Sequence, residues 1–218
     1  MFNNCNSKKN GEQYFYKLIK DNINVIFDVG CRSDSEFLNF NGEVHYFDPV
    51  PEFIEKIKSK PNFNKESYFN NFGLGLENAK SFYYPKYQSF HDRKLSCKIS
   101  DDANKIILSI VKGKDYIINN NVTHIDFLKI DTEGHELNVI KGFQDSLENI
   151  KIIQFEYGGT FLDSNTKLIN VIEYLREWGF QNFSYLTNSG PVIITNFNDH
   201  YKYCNIVYIN KKSDYKPF

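Results

Sequence analysis

Apolar positions along the chain follow two rhythms. Tyr14, Phe15, Leu18 and Ile19 recur at helical spacing and predict an amphipathic helix over residues 11–20. Val25–Val29 (VIFDV) is an apolar run interrupted only by Asp28 and closed by Gly30, the pattern of a strand buried on both faces. Val44–Phe47 (VHYF) predicts a second strand, closed by Asp48-Pro49. Residues 51–58 (PEFIEKIK) predict a helix. Pro51 suits its first position, Phe53, Ile54 and Ile57 share a face, and Glu52 stands four residues before Lys56. Tyr68–Phe72, Ser81–Tyr84 and Ile106–Val111 predict three further strands, the last two separated by a polar loop with Ser89, His91, Asp92 and Arg93. Ile125–Ile130 is the next strand, followed by a helix ending near Gly142 and a strand at Ile152–Phe155. Leu168, Val171, Ile172 and Leu175 mark a helix ended by Gly179. Phe183–Leu186, Val192–Thr195 and Asn205–Ile209 predict late strands around the turn Asn188-Ser189-Gly190-Pro191.

Strands alternating with helices imply an α/β fold, a mostly parallel sheet with helices on both faces. Consecutive late strands joined by turns add an antiparallel pair at one edge. With no internal repeat or linker, residues 1–218 are expected to form one domain. Within it, residues 1–22 form an N-terminal helical extension and 76–120 an insertion or lid-like region.

Composition narrows the class. The chain is 41% hydrophobic, 17% aromatic and 24% charged, enough apolar material for a proper core. A net charge of -1 speaks against a broad nucleic-acid or membrane footprint. Cys5, Cys31, Cys97 and Cys204 are scattered, with neither zinc-ligand spacing nor a disulfide framework, which fits a reducing, cytoplasmic setting. The first twenty residues hold no apolar stretch of signal-peptide length, and no run is long enough to span a bilayer.

Open parallel sheets bind ligands beyond the carboxyl ends of their strands. The first strand ends in Gly30, a tight turn where backbone can approach a ligand, followed by Cys31, Arg32, Ser33, Asp34 and Ser35. The dinucleotide pattern GxGxxG is absent, and Asp34 and Glu36 would repel a pyrophosphate. Asp48, about 20 positions after the glycine turn, suits ribose hydroxyls, or simply a helix N-terminus. The strand Ile125–Ile130 leads into Asp131, Thr132, Glu133, Gly134, His135 and Glu136. With Asp126, this stretch holds four carboxylates and a histidine; each also has a structural reading as a cap or first-turn residue. Period-two alternation puts Gln154 and Glu156 on one face, and neighbouring strands lie ~5 Å apart, so Glu156 is expected beside Asp131. Such a pair could hold a divalent cation, share a proton or grip hydroxyls, and an Arg or Lys partner is the plainer alternative.

The stretch IDFLKIDTEGHELNVIKGF resembles the signature of the FkbM-type methyltransferases. FDVG at 27–30, YFDP at 46–49, NFGLG at 71–75 and IQFEYG at 153–158 fall in that family's order, and the resemblance covers roughly residues 23–180. It implies a Rossmann-like class I methyltransferase fold with a mostly parallel seven-stranded sheet and an antiparallel edge pair. It also implies S-adenosylmethionine as methyl donor, a cofactor without phosphate that tolerates an acidic loop. The implied activity is O-methylation of a small molecule, sugar or glycan. By resemblance, Asp28, Gly30, Cys31, Arg32 and Ser33 line the methionine part of the cofactor, Asp48 and Pro49 take the ribose, and Asn71 and Phe72 sit near adenine. Asp131, Glu133 and His135 face the methyl group, with Glu156, His91 and Tyr157 on the acceptor side. His135 or Asp131 is the expected base; a metal on Asp131 and Glu156 ranks second. The family's second loop glycine is replaced here by Asp34. The rival reading is a non-catalytic module that binds the cofactor or a glycan. Phe82–Phe90 (FYYPKYQSF) offers rings that could stack on sugars, and an oligomer remains open.

Overall fold

The computed structural model describes residues 2–61, 64–92, 94–97 and 104–210; Arg93 and the Cys97 side chain lie outside them. Helix α1 (Glu12–Ile19) opens the fold, and strand β1 (Val25–Val29) and strand β2 (Glu43–Phe47) follow, with helix α2 (Pro51–Lys58) and strand β3 (Glu66–Asn70) after them. Three short strands, β4 (Gly73–Gly75), β5 (Ala79–Tyr83) and β6 (Ile106–Lys112), come next, with helix α3 (Lys94–Cys97) between the last two. Helix α4 (Gly113–Asn119), strand β7 (Ile125–Ile130), helix α5 (Glu136–Phe143) and strand β8 (Ile150–Tyr157) form the centre. The chain continues through α6 (Thr160–Asp163), α7 (Leu168–Glu177), β9 (Phe180–Tyr185), β10 (Val192–Ile193) and β11 (Cys204–Asn210).

The main sheet runs β10-β9-β11-β8-β7-β1-β2-β3. Its five strands from β3 to β8 are parallel, and β11, β9 and β10 are antiparallel. The chain steps outward from β1 to β3, then returns to β7 on the other side of β1. Strand order therefore reverses between β1 and β7, which puts a binding crevice at their carboxyl ends. The alternating and parallel parts are as the sequence predicts, and the details differ in three places. The sheet has eight strands, because the two-residue β10 extends the antiparallel edge. The predicted strand Tyr68–Phe72 breaks after Asn70, and its end passes into a second, three-stranded sheet of order β4-β6-β5. Helix α4, which the apolar pattern did not mark, follows directly on β6.

Period two along the central strands builds a core on each face. Phe27, Val29, Leu128 and Ile130 join Val139, Ile140 and Phe143 of α5 on one side. Ile26, Val44 and Phe127 meet Phe15 and Ile19 of α1 and Ile54 and Ile57 of α2 on the other. Only half the predicted face of α1 is covered, since Tyr14 and Leu18 stay exposed. On α2 the ion pair is Lys58–Glu55. Among the described residues no helix is long and apolar enough to cross a membrane.

Two local devices shape the crevice. The Asp131 N–H donates to the Val29 carbonyl (2.9 Å), which draws the ends of β1 and β7 together. Gly30 sits in that contact at φ +82°, and a Cβ there would fall 1.9 Å from the Asp131 carbonyl oxygen. Only glycine fits, for conformation and for space. After β7 the chain turns through Glu133 (φ 54°) and Gly134 (φ 105°). The buried Glu136 holds that turn: its Oε1 accepts from the Thr132 N–H (3.0 Å), the Thr132 hydroxyl (3.0 Å) and the Gly134 N–H (3.2 Å). Asp126 serves the opposite end of the strand, accepting from the Asn24 and Val25 N–H groups and pairing with Lys151 at 2.6 Å. Of the four clustered carboxylates, two are thus committed to structure.

Gly30→Ala should cost about 2–4 kcal/mol, from the left-handed backbone and the clash together, read as a fall in the urea midpoint. Burial pushes the Glu136 carboxyl up to about 7. An acid raised in the folded state lends stability below its unfolded value and loses it as the pH rises through the folded one. Glu136→Gln keeps the accepting oxygen and removes the charge. Thermal melts should then show the variant gaining on the order of 2 kcal/mol over the parent between about pH 5 and pH 8.

Candidate active site

Two adjoining hollows open at the carboxyl ends of β1, β2, β7 and β8. The first is a narrow apolar cleft. Phe47 of β2, Phe53 of α2, Leu74 of β4, and Tyr83 and Phe90 of the second sheet and its loop supply its walls. Asp48 supplies its acid. Its Oδ2 accepts from the Arg32 N–H (3.1 Å) and its Oδ1 from the Val50 N–H (2.9 Å), so the carboxylate is fixed yet keeps lone pairs for a ligand. Burial, against those two hydrogen bonds, raises it to about 6. Arg32 stands at φ 52° and takes the left-handed turn position, so the loop turns without a second glycine; Asp34 points into the neighbouring cavity.

The second hollow is polar, with charged walls drawn from strands, α1 and the loops between them. Asp28 ends β1, Lys129 and Asp131 end β7, Glu156 ends β8, and Glu12 reaches in from α1. Asp131, Glu133 and Glu156 bring carboxylate oxygens within 4.8 Å of one another. The expected neighbourhood of Asp131 and Glu156 is therefore present, set by the register Ile130↔Phe155. Burial, then the charges of Asp131, Glu133 and Glu136 and a side-chain hydrogen bond with Asp131, hold Glu156 well above the usual carboxylate range. Lys129 lies 3.5 Å from Asp131 and 3.9 Å from Glu12. Burial alone would lower its ammonium, and the surrounding Asp131, Asp28, Glu12 and Glu36 outweigh that and hold it well above its ordinary value. Asp28 accepts from the Ser35 hydroxyl through Oδ2, while its buried Oδ1 has no hydrogen-bond partner.

The predicted residues divide between these hollows. Gly30, Arg32, Asp131 and Glu133 border both. Pro49, Asp48 and His135 border the apolar cleft, and Asp28, Cys31 and Glu156 the polar cavity. His135 is thereby set apart from Glu156. Its ring lies against Phe90 (5.3 Å) and His91 (5.9 Å), and its Nδ1 is 3.3 Å from the Asn138 amide. Burial and the adjacent His91 bring it down to about 4, so the imidazole is neutral, with an unpartnered Nε2.

Five expected residues line neither hollow: Ser33, Asn71, Phe72, His91 and Tyr157. The Asn71 amide donates to the carbonyls of Asp48 (3.3 Å) and Pro49 (3.2 Å), and Phe72 packs on Phe47 and Tyr116. The cleft wall falls instead to Gly73 and Leu74. His91 backs the turn at Gly134, which Ser89 ties down by donating to the Glu133 carbonyl (2.7 Å). Tyr157 is fully buried and its hydroxyl accepts from the Tyr201 N–H (3.0 Å). Alternation along β8 turns it away from the face that carries Glu156. Lys129 and Glu12 were missed. A lysine inside the apolar run IDFLKI is the signal that could have found the first; no local signal marks the second.

In chemical character the hollows match a three-part ligand. The apolar walls match a flat heteroaromatic, Asp48 matches vicinal hydroxyls, and the unpartnered oxygen of Asp28 matches a cationic end. S-adenosylmethionine has these three parts in that order.

Comparison with known proteins agrees. Residues 28–181 match the Methyltransferase FkbM domain. The hexuronic acid methyltransferase AglP of Haloferax volcanii is 22% identical over 167 residues, 73% of this chain and 68% of the relative. Among solved structures, the plantazolicin methyltransferase BpumL, bound to S-adenosylhomocysteine and a triazolic substrate analogue, superposes with a TM-score of 0.50 at 10% identity, covering 94% of this chain and 84% of that one. A TehB-like S-adenosylmethionine-dependent methyltransferase from Corynebacterium glutamicum gives 0.45 at 11% identity, covering 89% and 86%. With its family domain spanning most of its length over a class I methyltransferase sheet, the chain belongs to the FkbM family of S-adenosylmethionine-dependent methyltransferases.

Proposed function

We propose that the enzyme methylates a hydroxyl of a sugar or sugar-like small molecule, with the Asp131–Glu156 pair handling the hydroxyl proton. The observation that carries this reading is the meeting of Asp131 and Glu156, whose carboxylate oxygens lie within 4.8 Å of each other in a polar cavity beside the apolar cleft. The activity named for the Haloferax volcanii relative supports a sugar acceptor.

S-adenosylmethionine, when bound, supplies a methyl group already activated by a positive sulfur. The protein's task is then alignment and proton management. Phe53, Leu74 and Phe90 would wall the adenine. Asp48 would accept from the ribose hydroxyls, and Asp28 Oδ1 would accept from the α-amino group. An alcohol is a poor nucleophile until its proton has somewhere to go. Asp131 would accept the hydroxyl proton as the acceptor oxygen takes the methyl group, with the bonding pair left on the departing sulfur. Glu156, protonated, donates to Asp131 and keeps it aimed. Lys129 offsets the negative charge of the cluster. His135 has too low a proton affinity for the base and lies in the other hollow.

Replacing Asp131 with Asn should lower turnover by about 10²–10⁴-fold. Calorimetric affinity for S-adenosylhomocysteine should change by less than about threefold, since the cofactor's anchors are elsewhere. Full turnover in the variant would remove Asp131 from the mechanism. Asp48, held at about 6, grips the ribose best when ionised. Affinity for S-adenosylhomocysteine should therefore be highest above that pH and decline as the pH is lowered through it, while Asp48→Asn binds more weakly with a flat profile.

A further inference from the structure

The polar cavity holds more negative charge than the methyl donor neutralises. Seven carboxylates line it against two cations, Arg32 and Lys129. The Lys129 ammonium is engaged near Asp131 and Glu12. Glu12 is further satisfied by the Asn10 amide (2.6 Å) and the Gln154 amide (3.2 Å). Two acids of the wall differ: Asp28 Oδ1 and Glu36 Oε2 are buried and lack any hydrogen-bond partner, and Asp28 is only 2% exposed. A buried carboxylate oxygen without a donor is costly and calls for a ligand that brings one. The donor's ammonium and sulfonium, less its carboxylate, add one net positive charge, and its amino group is spent on Asp28. Glu36 is left facing the cavity, on the short helix Glu36–Asn39 that Ser35 caps.

Resting on the reading of this cavity as the acceptor site, we infer that the acceptor is an amino sugar or comparable amino alcohol. Its protonated amine binds Glu36 while a neighbouring hydroxyl reaches Asp131, and carboxylate-bearing acceptors are turned away. The surroundings of Glu36 fit this role. Glu12 and Tyr16 face it from α1, Asp28 from β1, and Lys129 and Asp131 from β7. Burial, opposed by Lys129 and reinforced by the three acids, raises its carboxyl to about 7. An arriving ammonium favours the ionised form, so amine binding at neutral pH expels a proton. A uronate would add its charge to a cluster already crowded with acids.

The test is calorimetric titration of the full chain, saturated with S-adenosylhomocysteine, with D-glucosamine, D-glucose and D-glucuronate at neutral pH. Glucosamine should bind at least about tenfold more tightly than glucuronate, as expected for one charge-assisted hydrogen bond. Its binding heat should vary with the ionisation enthalpy of the buffer. Glu36→Gln should weaken glucosamine about tenfold and abolish the buffer dependence. Retained S-adenosylhomocysteine binding shows that the variant is folded, and the comparison of the three sugars on the parent decides the matter if it is not. Glucuronate binding as tightly as glucosamine, no sugar binding, or an unchanged glucosamine affinity in Glu36→Gln overturns the inference alone. Failure of S-adenosylhomocysteine to bind overturns the methyltransferase reading and takes this inference with it.

Discussion

The arrangement of this enzyme depends on how closely β1 and β7 approach at their carboxyl ends. The hydrogen bond from Asp131 to Val29 and the missing side chain at Gly30 bring the two strand ends into contact at the point where strand order reverses. Every part of the site is referred to that contact. The loop that leaves Gly30 carries Arg32 to Asp48 and Glu36 to the polar cavity. The turn that leaves Asp131 carries Glu133 and His135 along the border of the apolar cleft. A larger residue at Gly30 would separate the two groups and dissolve the common edge they share.

Charge is the second organising constraint. A lysine with its ammonium among four carboxylates is tolerable only because the carboxylates are there, and the carboxylates can crowd only because the lysine is there. The same dependence on neighbours explains why the acids of one sheet behave so differently. Asp126, at the far end of the same strand, has a private lysine and two backbone donors and is held below the usual range. Glu156, beside other acids, is held far above it. The difference lies in the neighbours.

Much of this was legible in the sequence, where the information is local or periodic. The buried strands could be read from continuous apolar runs, and the meeting of Asp131 with Glu156 from period two and strand spacing. The same alternation, carried one residue further, turns Tyr157 away from the cavity. What stayed hidden depends on tertiary placement. The second sheet was obscured because the rings of Tyr68, Phe69 and Phe72 flank Asn70 and Asn71 and read as one strand, although the passage from one sheet to the other falls between Asn70 and Gly73. That shift moved the cleft wall from Asn71 and Phe72 to Gly73 and Leu74. Spacing put His135 near Asp131 but could not say which hollow it would border. Lys129 was passed over because an apolar run invites its one cation to be read as a surface residue. Glu12 reaches the site only through the packing of α1 against the sheet.

One feature of the sheet bears on how the chain reaches this state. Strand β11 lies between β8 and β9, yet it is synthesised after both. During synthesis the outer edge of β8 waits about 50 residues for its partner, with unpaired backbone groups and an apolar surface along Ile152–Tyr157. An open edge of that kind is a docking place for another nascent chain. Glu156 and Lys151 on that strand give the waiting edge some charge, and the pairing of Cys204–Ile209 with it closes the edge late. The acid that lines the cavity therefore also stands guard on an unfinished sheet.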